Sequence, residues 1–117
     1  MASGIRCIST HVLDTVLGKP ARNVAVRLEK QEVSGWRLIA SGRTEQDGRC
    51  NQLLPEEDTL APGTYRLVFD TAIYFASLMV DALYPVVEIT FSVKAGESRF
   101  HIPLLLSPNG YTTYRGS

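Results

Sequence analysis

The chain contains two histidines, His11 and His101, and these side chains are the best suited to proton transfer at neutral pH. An imidazole with an ordinary pKa of about 6.5 can accept a proton from attacking water and return it to a leaving group. A nearby arginine would stabilise negative charge that develops on a reacting carbonyl oxygen. The residue types therefore indicate acid-base chemistry by imidazole, assisted by an arginine. Two unrelated surface or interface histidines are the alternative, because the amphipathic ring is common at interfaces.

Other chemistries have less support in the sequence. A metal site needs further ligands at suitable spacing, and no His-x-His, Cys-x-x-Cys or clustered carboxylate set accompanies the histidines. A nucleophile-elbow serine hydrolase needs Gly-x-Ser-x-Gly, which does not occur, and Ser107 and Ser117 lie in other contexts. Cys7 and Cys50 could pair if their strands are neighbours, but in a reducing compartment we expect two thiols without a chemical role.

Alternation of apolar and polar residues predicts the strands that position these groups. The core sets with a period of two are Ile8, Thr10 and Val12; Val24, Val26 and Leu28; Trp36, Leu38 and Ala40; and Phe100, Ile102, Leu104 and Leu106. Further strands are predicted at 63–69, at 87–93, from about Arg49 after a turn, and at 111–115. About eight short strands are typical of a sandwich or barrel.

Two segments differ from this pattern. Residues 51–62 are polar and rich in turn formers, which predicts a loop. Asp70 or Thr71 is predicted to cap a short helix. The residues that recur in it at helical spacing are Ile73, Tyr74, Leu78 and Met79.

Both histidines are predicted to point away from the core, because residues two apart on a strand share a face. In the first strand His11 shares the outer face with Leu13, and in the penultimate strand His101 shares it with Pro103 and Leu105. This face is too apolar to be plainly solvated, so we expect another subunit to cover it. The histidines would then lie at an oligomer interface.

Length and composition predict one domain spanning residues 1–117, large enough to bury a core without disulfides. The 12 Lys and Arg balance the 12 Asp and Glu without a long basic run, so neither nucleic acid nor an anionic membrane is the expected partner. Residues 1–6 lack the apolar stretch of a signal peptide, and no later segment is long enough to span a membrane. We expect a cytoplasmic protein.

The last residues, 111–117, follow shortly after the apolar run 102–106 and are rich in tyrosine. Chain ends usually fray and carry little information. We expect this segment, with its terminal carboxylate, to be built into an active site.

Four sequence blocks together resemble the 5-hydroxyisourate hydrolase family of the transthyretin superfamily. The first is STHVLD at 9–14 followed by GKPA at 18–21, and the others are DGR at 47–49, FHIPLLLS at 100–107 and YRGS at 114–117. The resemblance covers essentially the whole chain. It implies an all-β, transthyretin-like (prealbumin) sandwich of two four-stranded sheets with one short helix, assembled as a homotetramer with sites at the dimer–dimer interface. It also implies the peroxisome as the alternative location to the cytoplasm, because the family occurs in both compartments.

The resemblance also implies hydrolysis, without a cofactor, of the lactam C–N bond of 5-hydroxyisourate, giving 2-oxo-4-hydroxy-4-carboxy-5-ureidoimidazoline in urate degradation. His11 and His101 would handle the proton of the attacking water, and which of them is the general base stays open. Arg49 would stabilise the carbonyl oxygen, with an exposed turn-flanking arginine as the alternative. Ser117 would place its hydroxyl or the terminal carboxylate in the site, and Gly116 would permit the tight turn needed.

Four further residues are candidates for substrate binding. Tyr114 would contact the planar substrate, and Arg115 would either donate to substrate oxygens or be held in an ion pair. The alternative is that both residues finish an edge strand and cover apolar surface. Leu105 and Thr113 would line the pocket, with core packing as the alternative.

Two other functions stay open. A transthyretin-like carrier of small hydrophobic ligands, such as thyroid hormones, shares the VLD pattern at 12–14 and the NVAV pattern at 23–26, so fold alone does not separate carrier from enzyme. Carriers lack the equivalents of His11, Arg49 and His101, which favours the enzyme. A structural or interaction sandwich is the third reading, and it would tolerate loss of all these polar side chains.

Overall fold

The computed structural model describes residues 7–51, 53–54 and 59–117. Its elements in chain order are β1 (Cys7–Asp14), β2 (Lys19–Pro20), β3 (Ala25–Glu32), β4 (Gly35–Arg43), β5 (Arg49–Cys50), β6 (Gly63–Phe69), α1 (Thr71–Ser77), β7 (Val87–Val93), β8 (Arg99–Ser107) and β9 (Gly110–Thr113). The N-terminal segment 1–6 and part of the predicted loop, 52 and 55–58, lie outside the described residues.

The strands form two sheets around one hydrophobic core. One sheet has the order β2-β1-β8-β9, with β5 also paired to β1, and the other has the order β4-β3-β6-β7. β1 and β8 are parallel, and the other named pairs are antiparallel. The predicted two-sheet sandwich is confirmed, with the two-residue β5 as a fifth strand of the first sheet.

The alternation predicted for β1 and β8 is confirmed. The buried core residues on these strands are Ile8, Thr10 and Val12, and Phe100, Ile102, Leu104 and Leu106. The parallel register places Thr10 beside Ile102 and Val12 beside Leu104, so the two core rows are in contact. The histidine positions consequently occupy the other face of the sheet.

Pro103 does not lie open on that face as the alternation predicts. The residue is buried. Its strand is flanked by β1 and β9, with His11 as its register partner on β1. The Thr113 hydroxyl also donates to the Pro103 carbonyl at 2.7 Å. The proline ring is therefore covered by neighbouring strands of the same chain.

A bulge in β4 changes the faces predicted there. Alternation predicts Trp36, Leu38 and Ala40 on one side. The pairing of β3 with β4 passes from Ala40 directly to Leu38, so Ile39 is an extra, bulged residue. Ile39 and Ala40 pack against the core, whereas Leu38 is 55% exposed.

Helix α1 buries a face that only partly matches the prediction. Its buried residues are Thr71, Tyr74 and Phe75, at i, i+3 and i+4. Of the predicted set, Tyr74 is buried, and Ile73, Leu78 and Met79 are exposed. Leu78 is the C-cap and Met79 has a positive φ of 58°, so the helix ends before the predicted spacing does.

Asp70 is the N-cap residue, as predicted, but its side chain makes no capping hydrogen bond. No helix among the described residues combines the length and apolar character needed to cross a membrane.

Candidate active site

Three strands of the first sheet bring His11, Arg49 and His101 to one face. His11 on β1 is the register partner of Arg49 on β5, and Ser9, two residues before His11, is the partner of His101 on β8. Thr10 between them is buried on the core side. Because successive residues of a strand alternate sides, this cluster lies on the outer face.

The His101 ring is flanked on two edges. Ser9 Oγ lies 2.7 Å from His101 Nδ1, and the Gly116 N–H donates to the His101 carbonyl at 2.7 Å. A Cβ at Gly116 would lie 2.5 Å from His101 Cδ2, so glycine is required by this close approach. Nδ1 and Cδ2 are the two atoms bonded to Cγ, and with both flanked the Nε2 end of the ring extends away from the backbone.

The pKa of His101 lies below its ordinary value. Burial of the ring is the main cause, and the positive charges of Arg49 and His11 add to it. Both causes disfavour the imidazolium. His101 is therefore neutral over a wider pH range than an exposed histidine, and the neutral form is the one that accepts a proton.

His11 is held through Nε2, whereas His101 is held through Nδ1. The Nε2 of His11 lies 2.8 Å from the carbonyl oxygen of Asp47. A carbonyl oxygen only accepts, so His11 Nε2 carries a proton and donates it. The neighbouring Gly48 has a φ of 81°, and a Cβ there would lie 2.5 Å from the Val12 carbonyl oxygen. This glycine lets the Asp47–Arg49 turn approach the histidine closely.

Arg49 is positioned by the same turn. Asp47 Oδ1 accepts the Arg49 backbone N–H at 3.0 Å, and Asp47 Oδ2 lies 3.9 Å from Arg49 Nε. The Arg49 side chain is 44% exposed, so this long ion pair contributes little to stability. A guanidinium has five N–H donors, and most of them remain available to a ligand.

Leu105 lies on the same outer face as the histidines. It is half-buried and is the register partner of Leu13 on β1. Ser117 is exposed and follows Gly116, which bridges to His101. These two predicted site residues are therefore on or next to the histidine cluster.

The structure does not bring Thr113 and Arg115 to the histidines. Thr113 is the register partner of the buried Leu104, and so lies on the core side. Arg115 Nη1 contacts Glu97 Oε2 at 2.8 Å, and its guanidinium carbon lies 4.2 Å from the centre of the Phe100 ring. The ion-pair alternative for Arg115 is the one observed.

Tyr114 lines an apolar cleft with both of these residues. The cleft has a volume of about 300 Å³ and lies between the edges of the two sheets. Its lining includes Ile89, Phe91, Phe100 and Ile102. Tyr114 is an exposed residue, with 55% of its surface accessible to solvent.

Ser9 is the residue of the site that the sequence interpretation did not single out. Its place two residues before His11 predicts the same strand face. The sequence contains no signal for its contact with His101, because 92 positions separate the two residues. In the part of the chain that the structure describes, no group of three or more His, Cys, Asp or Glu side chains is arranged to hold a metal ion.

The fold and the site together define a transthyretin-like β-sandwich with histidines and an arginine on the outer face of one sheet. Residues 8–116 match the sequence model of the HIUase/Transthyretin family. The chain belongs to this family.

Individual relatives give the same result. The chain is 44% identical over 117 residues to the 5-hydroxyisourate hydrolase of Salmonella typhi. This match covers 100% of this chain and 85% of that protein. The solved structure of Klebsiella pneumoniae 5-hydroxyisourate hydrolase matches with a TM-score of 0.85 and 33% identity, over 97% of this chain and 100% of that one. Sea bream transthyretin in complex with thyroxine matches with a TM-score of 0.85 and 32% identity, over 93% of each chain.

Proposed function

We propose that this protein is a hydrolase that opens 5-hydroxyisourate at its lactam C–N bond and gives 2-oxo-4-hydroxy-4-carboxy-5-ureidoimidazoline. The observation that carries the proposal is the convergence of His11, Arg49 and His101 on one sheet face. It occurs in a chain that is similar over its whole length to proteins named for this activity.

The proposed reaction needs a base, an acid and a stabiliser of negative charge. One histidine takes a proton from water as the oxygen attacks the lactam carbonyl carbon. Arg49 faces the charge that grows on the carbonyl oxygen and that ends on the product carboxylate. Collapse of the tetrahedral intermediate breaks the C–N bond, and an imidazolium returns the proton to the leaving nitrogen. No cofactor takes part in these steps.

Each histidine has one ring nitrogen in a hydrogen bond and one open ring nitrogen, and the open nitrogen can take up or release a proton. His11 is engaged through Nε2 and His101 through Nδ1. Within the described chain neither His11 Nδ1 nor His101 Nε2 has a hydrogen-bond partner. The open nitrogens belong to different ring positions, so the two rings can present an acceptor and a donor to one substrate.

The proposed binding residues differ in how directly they reach the cluster. Leu105 shares the outer face, and Ser117 adjoins the Gly116 bridge to His101. Tyr114 has an exposed ring suited to a planar substrate. For Thr113 and Arg115, which the sequence suggested as substrate-binding residues, we propose instead that they hold the terminal segment in place, through the Pro103 carbonyl on β8 and through Glu97, which precedes that strand.

We further propose that the active assembly is a homotetramer with the sites at the dimer–dimer interface. The half-buried Leu13 and Leu105 beside the histidines support this, because an apolar sheet face is normally covered. The cytoplasmic or peroxisomal location stays a prediction, which imaging of a fluorescent fusion in cells would test.

Hormone carriage is the alternative function. Its support is the TM-score of 0.85 to a thyroxine-bound transthyretin. The hydrolase structure matches equally well, so fold does not separate the two. Imidazole and guanidinium groups on the shared face favour hydrolysis, because burying them against an apolar ligand costs free energy.

The test is the decay of freshly generated 5-hydroxyisourate, followed by its absorbance with and without the protein. We expect faster decay in proportion to the protein added, and no comparable binding of thyroxine by calorimetry. Wild-type protein that leaves the decay unchanged but binds thyroxine would replace the hydrolase with the carrier.

A further inference from the structure

The Ser9 hydroxyl contacts the ring of one of the two histidines of the site. We propose that Ser9 is a positioning residue that accepts a hydrogen bond from His101 Nδ1–H, so that the unprotonated Nε2 of His101 takes the proton from water. This inference rests on the proposed function and deepens it, since it makes His101 the general base.

The backbone fixes the two residues beside each other. Ser9 and His101 are register partners on the parallel strands β1 and β8, and Ser9 Oγ lies 2.7 Å from His101 Nδ1. On the opposite edge of the ring, Gly116 leaves no room even for a Cβ beside His101 Cδ2. A ring flip would bring Cδ2 to the Ser9 hydroxyl and forfeit the hydrogen bond, so one ring orientation is favoured.

The direction of the hydrogen bond follows from the role proposed for the ring. A hydroxyl either donates or accepts, and a neutral imidazole has one N–H and one lone pair. Ser9 engages Nδ1, so Nε2 is the nitrogen left to take a proton from water, and it needs its lone pair for that step. The proton then resides on Nδ1, and Ser9 Oγ accepts it.

The two histidines therefore differ in tautomer. His11 donates from Nε2 to the Asp47 carbonyl, while His101 donates from Nδ1 to Ser9. The nitrogen that a histidine uses is set by the partner of the other nitrogen. Ser9 therefore holds the proton of His101 on Nδ1, whereas the Asp47 carbonyl holds the proton of His11 on Nε2.

Ring ¹⁵N NMR tests the assignment without any substrate. The chain has two histidines, so the spectrum contains two imidazoles, and a His11→Gln variant assigns them. In the wild type at neutral pH we expect His101 as the Nδ1–H tautomer, in Ser9→Ala a shift toward Nε2–H, and in Ser9→Thr the wild-type pattern. A wild-type His101 in the Nε2–H form would overturn the proposal, whatever the folding of the variants.

Kinetics supply the second readout. Removing the hydroxyl in Ser9→Ala should lower kcat about 10- to 100-fold and change KM little. This range is taken by analogy from groups that orient histidines in metal sites. Ser9→Thr should restore most of the rate. The matched control is Ser107→Ala at the end of β8, the strand of His101; it loses one hydrogen bond to the Gly110 carbonyl and should retain wild-type kcat.

The two proposals fail separately. Wild-type kcat in a folded Ser9→Ala variant would overturn the positioning role of Ser9 and leave the hydrolase standing. Conversely, the wild type could show no turnover while NMR finds His101 in the Nδ1–H form, and that form could change in Ser9→Ala. Those results would overturn the proposed hydrolase activity and leave the assigned hydrogen bond standing.

Discussion

His11 and His101 lie on one sheet face, and their rings are held through different nitrogens. His101 is partly buried near the guanidinium of Arg49, whereas His11 is fixed to the carbonyl of a turn. At the scale of residues, the site therefore contains two imidazoles whose environments differ, as acid-base catalysis by a pair requires.

Replacing Arg49 by Gln should raise the pKa of His101 toward its ordinary value. The positive charges that oppose protonation of His101 come from Arg49 on β5 and His11 on β1, and the variant removes the first of them. The acidic limb of the activity profile should move to higher pH, because the base is protonated earlier as pH falls. NMR titration of the His101 ring measures the shift.

The charge-preserving Arg49→Lys variant is the control for that titration. It should keep the pKa of His101 close to the wild-type value. A His101 pKa that is unchanged or lower in Arg49→Gln would contradict the electrostatic account.

Replacing Gly116 by Ala should displace the His101 ring, because the new Cβ would lie 2.5 Å from Cδ2. A displacement of about 1 Å in a catalytic group can cost about 100-fold in rate. We expect a loss of that order in kcat with a small change in melting temperature. Gly110→Ala is the matched control, since its Cβ would meet only Ser107 Oγ at 3.8 Å. Equal activity of the two variants would contradict the inference that Gly116 holds the His101 ring in place.

The sequence pointed to the proposed reacting groups more readily than to the groups that hold them. His11, Arg49 and His101 have side chains whose chemistry is evident, and they occur in recognisable blocks. Ser9 is an ordinary strand residue by type, and its function depends on a partner on another strand. Arg115 was expected at the substrate or in an ion pair, and only the fold shows Glu97 within reach.

At the scale of elements, alternation predicted the buried rows of β1 and β8, because burial on one face of a strand follows a period of two. It was wrong for β4, since the bulge at Ile39 adds one residue to the strand. Helical spacing, the pattern used for α1, did not identify its buried face: Ile73, Leu78 and Met79 are exposed, because tertiary contacts choose that face. Bulges and helix ends depend on pairing and packing, which a single strand or helix sequence does not specify.

A buried polar contact joins α1 to the sheet that carries the site. Asp14 at the end of β1 is buried, and its Oδ1 accepts the backbone N–H groups of Val16 and Leu17 at 3.0 Å. Its Oδ2 accepts the Tyr74 hydroxyl at 2.8 Å. This contact fixes the helix against the β1–β2 turn.

Tyr74→Phe should destabilise the protein by about 1–3 kcal/mol, because it leaves one oxygen of a buried carboxylate without its donor. Urea denaturation measures the change in the free energy of unfolding. Tyr84→Phe, at a residue that is 40% exposed, should change stability by less than about 0.5 kcal/mol. Equal stability of the two variants would show that the Asp14 contact contributes nothing.

For the whole molecule, we expect the histidine face to be an interface between subunits. Leu13 is half-buried on that face and carries no proposed catalytic role. Leu13→Glu places a charge there, so it should dissociate the tetramer, measured by light scattering coupled to gel filtration. The wild type should have about four times the chain mass of 12.9 kDa.

Leu38→Glu is the control for that experiment, because Leu38 is 55% exposed on the other sheet. It should keep the wild-type mass. A tetramer that survives Leu13→Glu would place the interface elsewhere.

The most direct test of the central claim compares the decay of 5-hydroxyisourate in wild type, His11→Ala and His101→Ala, with the oligomeric state of each sample recorded. Loss of a positioned acid or base typically costs about 10²- to 10⁴-fold. We predict rapid decay with the wild type, and decay near the uncatalysed rate with either variant while the assembly persists. Wild-type protein that does not accelerate the decay, or alanine variants as fast as the wild type, would contradict the claim.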